Sequence, residues 1–434
     1  MSSINRVVRV RNSVGTAVPN ITAEQQLKRI TLASMLWENQ FYLDGQSHAE
    51  LVRDLVARVS PQKVADLAEV ARSKFKLRHI PLLLARELAR SGRLQAQTLT
   101  NIIQRPDEMS EFLSIYWQEG KTAVSNQIKK GLAACFNKFN EYQLAKWNKN
   151  NAAIKLRDVM FLSHPKPQSA AQAELFKRIA SDTLETPDTW EVQLSAGADK
   201  CETFTRLMQE KKLGALAFLR NLRNMTQSGV AESLIRSYGA TVDVSKVLPF
   251  RFIAAARIVP EYEDMLENMM FRALATQPKL PGKTVLVIDV SGSMFGTNIS
   301  AKSDLDRFDA AAALAILCRE ICETVEIYSF SDRAVRVPPR RGFALVEAIS
   351  RSQPHSGTQL GYAMQTIDSQ TSYDRVIVFT DEQSYDRPDS PRGSGYLVNV
   401  ASYQHGVNHS AWHEINGFSE AILDYIQAFE ESNQ

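Results

Sequence analysis

The spacing of apolar residues changes once along this chain, and the change limits what it can fold into. From about residue 20 to 278, apolar side chains recur every three or four positions in segments such as "SHAELVRDLVARV", "PQKVADLAEVARSKF", "HIPLLLARELARSG" and "SNQIKKGLAACFNKF". That period predicts amphipathic helices, and Ser, Pro, Asp and Gly punctuate between them. The prolines and glycine of "ATQPKLPGKT", residues 275–284, interrupt the pattern. Continuous apolar runs then alternate with helical ones: "TVLVIDV", "RFDAAAALAILCREIC", "TVEIYSF", "GTQLGYAMQTIDS", "RVIVFTD" and "YLVNVAS". Such runs predict a mostly parallel sheet covered on both faces. The expected architecture is multidomain: stacked HEAT-like helical repeats over 1–280, and a doubly wound α/β domain over 281–434.

In "TVLVIDVSGSMFG" a run of apolar and β-branched residues leads into Asp289, which closes the expected strand. Ser291 and Ser293 follow in the loop, where parallel sheets place their ligands. Thr358, in "HSGTQLG", and Asp381, after "RVIVFT", fall at other strand-end positions of the same sheet. Carboxylate and hydroxyl oxygens without His or Cys suit Mg²⁺ or another hard divalent cation, and disfavour zinc. Ser and Asp after a strand also cap helices, so the pattern has a purely structural reading too. No phosphate-cradling Gly-x-x-x-x-Gly-Lys-[Ser/Thr] loop, Gly-x-Ser-x-Gly or His-Glu-x-x-His motif occurs, and no enzymatic activity is expected. Cys318 and Cys322 could share a helix face as thiolate ligands, but their apolar surroundings favour two core residues.

Charge divides the chain as sharply as periodicity does. From residue 281 onward there are 12 basic and 20 acidic residues, a net of −8, while the first 280 residues carry +11 of the overall +3. The first part is the one suited to a polyanion. Residues 121–166 hold nine basic residues, among them Lys129, Lys130, Lys138, Lys146, Lys155 and Arg157, against Glu141 and Asp158 alone. Phe136, Phe139, Tyr142, Trp147 and Phe161 are interleaved with them, a mixture that grips phosphates and offers faces to unpaired bases. Solvated lysine faces and core aromatics would give the same composition. Upstream, Arg86 and Arg90 share a helix face in "LRHIPLLLARELAR", with Arg78 and His79 just before it. His164, in "FLSHPKP", sits at an expected helix end. Four scattered cysteines, no apolar run near the roughly 18–20 residues that span a bilayer, and a polar start without a signal-type apolar region predict a cytoplasmic protein.

Several segments in order, "LRHIPLLLARELAR", "FLSIYWQEGK", "IKKGLAACFNKFNEYQLAKW", "IKLRDVMFLSHPKP", "TWEVQLSAGADK" and "LGALAFLRNLRNM", resemble the TROVE-domain Ro family of RNA-binding proteins. The set Asp289, Ser291, Ser293, Thr358, Asp381 resembles the metal-ion-dependent adhesion site of von Willebrand factor A domains, where a partner's carboxylate can complete the metal's shell. The resemblance implies a ring of helical repeats within a monomer. It also implies small noncoding Y or Y-like RNA on a basic outer surface, and 3′ ends of misfolded RNA in the central hole, in RNA quality control or decay. His164 and the basic residues of the 121–166 segment are the implied RNA contacts, with Arg78, His79 and Arg86 as an extension. A protein partner, such as an exoribonuclease, would be reached through RNA or through the metal site. The rival expectation is a metal-dependent protein-interaction scaffold to which RNA is incidental.

Overall fold

A computed structural model describes residues 22–33, 45–73, 77–148, 152–245, 247, 250–275, 277–296, 298, 305–381, 384–400, 411–416, 422, 426, 427 and 430. Two compact units emerge, one of described residues up to Ala198 and one from Asp199 onward.

The first unit is helical. Its helices are α1 (Ala23–Ala33), α2 (Gly45–Arg58), α3 (Pro61–Ser73), α4 (His79–Arg90), α5 (Ala96–Ile102), α6 (Asp107–Tyr116), α7 (Asn126–Phe136), α8 (Glu141–Trp147), α9 (Leu156–Ser163), α10 (Ala170–Ser181) and α11 (Trp190–Ser195). Helices α3, α5, α7 and α9 pack in succession, and α2, α4 and α6 form a parallel succession beside them. Each helix therefore buries its apolar stripe against alternate neighbours, as the three-to-four spacing requires. Polar side chains fix where the helices begin: Ser125 accepts from Ile128 N, and Asn140 forms a reciprocal capping box with Gln143. At Gly131 the backbones of α7 and α5 come so close that a Cβ would sit 2.9 Å from the Ala96 carbonyl oxygen.

The second unit opens with helices α12 (Lys200–Gln209), α13 (Ala215–Gln227), α14 (Glu232–Thr241), α15 (Phe250–Ile258) and α16 (Glu263–Leu274). Strands β1 (Leu280–Asp289), β2 (Cys322–Phe330), β3 (Ala334–Arg336), β4 (Arg375–Thr380), β5 (Ser394–Asn399) and β6 (His413–Asn416) follow, with α17 (Arg307–Ile321), α18 (Phe343–Ser350) and α19 (Leu360–Gln370) between them. The strands form one sheet in the order β3-β2-β1-β4-β5-β6, parallel except for β3 at the edge. Val285 and Val287 face a cluster with Leu360, Met364 and Ile367 of α19, while Leu286 and Ile288 are equally buried on the other face. Burial on both faces is why these strands read as unbroken apolar runs.

Helix α17 is buried at every position from Arg307 to Cys318. It touches β1 and β2 on one side and α15, α16 and α18 on the other. Its alanines permit that close approach, and Cys318 and Cys322 are the core residues their surroundings suggested. The change from helix to strand falls between Leu274 and Leu280, at the expected interruption. The compact units divide earlier, after Ala198, because helices preceding the sheet cover α17: Arg257 pairs with Asp309, and Phe343 N donates to Glu267 Oε1 at 2.8 Å. The short β6 is not anticipated in the sequence. The last expected helix, over 418–430, lies mostly outside the described residues.

Candidate functional site

Strands β2 and β4 flank β1, so the chain leaves β1 toward one side and returns on the other. This creates a crevice at the carboxyl ends of β1 and β4. Asp289 ends β1 and is fully buried. Its Oδ1 accepts from Ser291 N at 2.9 Å and its Oδ2 from the Thr380 hydroxyl at 2.6 Å. The Ser291 and Ser293 hydroxyls lie 3.3 Å apart. Burial pushes the Asp289 carboxyl up to about 7, against the hydrogen bonds from Ser291 and Thr380 and with added repulsion from Asp381. Asp381, buried just beyond β4, accepts at Oδ2 from Arg307 Nη1 at 2.8 Å, and the same nitrogen reaches the Ser293 carbonyl at 3.2 Å.

Thr358 is buried in the loop entering α19. That loop is fastened at several points: Gly292 N donates to Ser356 O at 3.2 Å, Ser356 N to Ser331 Oγ at 2.9 Å, and Gly357 N to Asp332 Oδ1 at 3.0 Å. The Thr358 carbonyl accepts from Ser384 Oγ and from Tyr385 N. Asp386 takes the amides of Gly361 and Tyr362, so it serves the start of α19. Contacts among these three loops thus gather all five expected residues at one end of the sheet. Among the described residues no cluster of three or more His, Cys, Asp or Glu occurs that could hold a metal. The strand-end set contains only two carboxylates, with hydroxyls for the rest, and such all-oxygen donors fit a hard divalent cation. Thr380 and Arg307 are not among the residues the sequence pointed to.

In the first unit, the candidate RNA residues separate into two kinds. Lys130 and Lys146 are exposed and Lys129 is half-buried. Lys146 lies 5.8 Å from the centre of the Tyr142 ring and 6.0 Å from that of Trp147, while Arg105 covers Trp147 at 3.6 Å. Tyr142 and Phe161 are exposed, whereas Phe136 and Phe139 belong to the core. Trp147, Arg78 and Lys155 line one cleft of about 380 Å³ together with Asp107 and Glu111. Lys155 and Arg157 each approach Asp182 at 4.0 Å. His164 is exposed and ends α9 in the left-handed region, with φ 49°. Its backbone N–H, rather than its ring, satisfies the Met160 carbonyl.

Other expected contacts are occupied within the fold. Arg86 is 1% exposed, with Nη2 on Glu119 at 2.6 Å and Nε 3.0 Å from Glu87. Sharing a helix face with Arg90 suggested an accessible pair, but acidic residues bury Arg86 instead, so it is not a surface RNA contact. Burial also pulls its guanidinium below the usual value. Arg78 binds Asp107 at 2.8 Å and Glu111 at 2.6 Å, and His79 Nδ1 lies 2.7 Å from Glu111. Burial alone would raise the Glu111 carboxyl, yet the His79 hydrogen bond and the Arg78 charge bring it below the usual range. The Lys138 ammonium donates to the Thr100 and Ile103 carbonyls at 2.6 and 2.5 Å, capping the end of α5.

Residues 182–281 match the TROVE domain family, and residues 284–383 match the von Willebrand factor type A domain family. The chain therefore carries a segment similar to the TROVE domain, followed by one similar to the von Willebrand factor type A domain. Its fold is similar to that of the Ro (RSR) protein of Deinococcus radiodurans, with a TM-score of 0.69 over 94% of this chain and 99% of that one, at 17% sequence identity. The second matched segment contains Asp289, Ser291, Ser293, Thr358 and Asp381. The basic segment 121–166 lies before the first.

Proposed function

We propose that the protein binds RNA through the basic, aromatic-bearing surface of its first unit, centred on α8 and the cleft beside it. The observation that carries this reading is the grouping of Tyr142, Lys146, Trp147 and Arg105 next to a cleft that Lys155 also lines. Exposed lysines supply phosphate contacts, while exposed Tyr142 offers a ring face to an unpaired base. The match of residues 182–281 to the TROVE family supports RNA as the partner. In its finer form, small noncoding Y or Y-like RNA occupies the outer surface of a helical ring, and 3′ ends of misfolded RNA enter its hole, in quality control or decay. The protein works without turnover, in the cytoplasm, as a monomer.

A gel-shift titration with a stem bearing a single-stranded 3′ overhang and with the matching blunt duplex tests the proposal. Affinity should be greater for the overhang and should fall steeply with salt. Replacing Lys130 and Lys146 by Ala should lessen the salt slope by roughly one unit for each phosphate that these lysines neutralise. Equal affinity for the two RNAs, or affinity indifferent to salt, sinks the reading.

The strand-end cluster favours an accompanying role in protein capture. Asp289, Ser291, Ser293, Thr358 and Asp381 would hold Mg²⁺ or another hard divalent cation, which supplies an electrophilic position for a partner's carboxylate. The two roles separate experimentally. Should Asp381→Ala abolish the main partner interaction while the lysine substitutions leave bound RNA unchanged, the protein is a metal-dependent scaffold and RNA is incidental.

A further inference from the structure

The strand-end cluster contains a cation of the chain's own. Arg307 opens α17, yet a basic residue in the first turn is opposed by the helix dipole. Asp306 and Asp309 already cap that turn through a reciprocal box. What Arg307 gains lies elsewhere, because its buried guanidinium joins Asp381 Oδ2 to the Ser293 carbonyl. One planar group thus links two of the three loops that gather the expected metal ligands. Two buried acids already share one guanidinium here, and a divalent cation would bring two further positive charges beside it.

We propose that Arg307 is the resident counter-ion of this site, holding Asp381 and the serine loop in register without a metal and keeping metal binding weak and reversible. The inference rests on reading the cluster as a divalent-cation site. With Arg307 in place, the buried carboxylates do not depend on an ion for compensation, so the unit folds whether or not metal is available. Without the guanidinium, Asp381 would lose the cation that reaches it at 2.8 Å, and an added divalent cation would restore positive charge at that place. Stability and metal affinity then become linked through the same two carboxylates.

The test uses the full chain and two readouts: Mn²⁺ binding, followed by the electron paramagnetic resonance of free Mn²⁺, and thermal unfolding in EDTA or Mg²⁺. The wild type should melt at nearly the same temperature in both solutions and bind Mn²⁺ weakly. Arg307→Met, which keeps an unbranched apolar stem, should melt lower in EDTA, recover in Mg²⁺, and bind Mn²⁺ about tenfold or more tightly. Asp381→Asn should remove Mn²⁺ binding from both backgrounds. A folded Arg307→Met protein that binds Mn²⁺ no more tightly than a binding-competent wild type overturns the counter-ion role and leaves the metal reading standing. Absence of Mn²⁺ binding in both proteins overturns the metal reading, and this inference with it. Should Arg307→Met fold in neither solution, Arg307→Gln decides. It removes the charge but keeps a hydrogen-bond donor, so a rise in Mn²⁺ affinity supports the proposal and no rise overturns it.

Discussion

Asp289 and Arg86 show how differently single residues disclose their roles. "DVSGS" is legible because a strand's apolar run ends in a carboxylate, and a strand end in a parallel sheet is a ligand position whatever surrounds it. Thr380 is not legible there. Its hydroxyl meets Asp289 only because β4 pairs with β1 so that Ile288 lies opposite Phe379, one residue before both. Arg307 depends on the same sheet closing over α17. The role of Arg86 is hidden because four-residue spacing defines a helix face without saying what that face meets. Replacing Arg86 by Ala should destabilise the first unit by about 1–3 kcal/mol, since buried Glu87 would keep only Arg53, at 3.5 Å, as its cation. Urea unfolding measures this destabilisation, and RNA affinity under folding conditions should be unchanged. Thr380→Val, nearly isosteric, should cost about 1–3 kcal/mol in EDTA by stripping a hydrogen bond from a buried carboxylate.

At the level of elements, helices of ten or more residues announce themselves through repeated apolar spacing, as in α4 and α7. Helices α5, α8 and α11, of seven, seven and six residues, complete too few turns for a period to show. Yet α8 carries the surface on which the RNA reading rests, with its start set by the Asn140 capping box. The meeting of α5 and α7 depends on Gly131, whose neighbours are the Ala96 carbonyl at 2.9 Å and Leu99 Cβ at 3.0 Å from the place of a Cβ. Gly131→Val should therefore force the two helices apart and cost about 1–3 kcal/mol. The midpoint of thermal unfolding should drop, and the weakened end of α5 would also disturb the carbonyls that Lys138 caps.

Over the whole chain, the +11 and −8 halves and the break at 275–284 are readable because composition and periodicity are local properties. Membership of the compact units is not, since it depends on which helices cover α17, and nothing in their own sequences names the surface they cover. Partitioning of charge gives a prediction at this scale: raising salt from 50 to 200 mM should weaken RNA binding by about three to five orders of magnitude if six to ten phosphates are contacted. Metal removal by EDTA should leave that salt slope unaltered, because the strand-end cluster belongs to the acidic part. Finally, a helix enclosed on all sides has no private route to unfolding. Amide protons of Ala310–Leu317 should exchange with solvent only when the entire unit opens, together with those of β1. A fragment cut at residue 281 would retain the sheet but uncover the outer alanine-rich side of α17, and should self-associate more than the intact chain in ultracentrifugation.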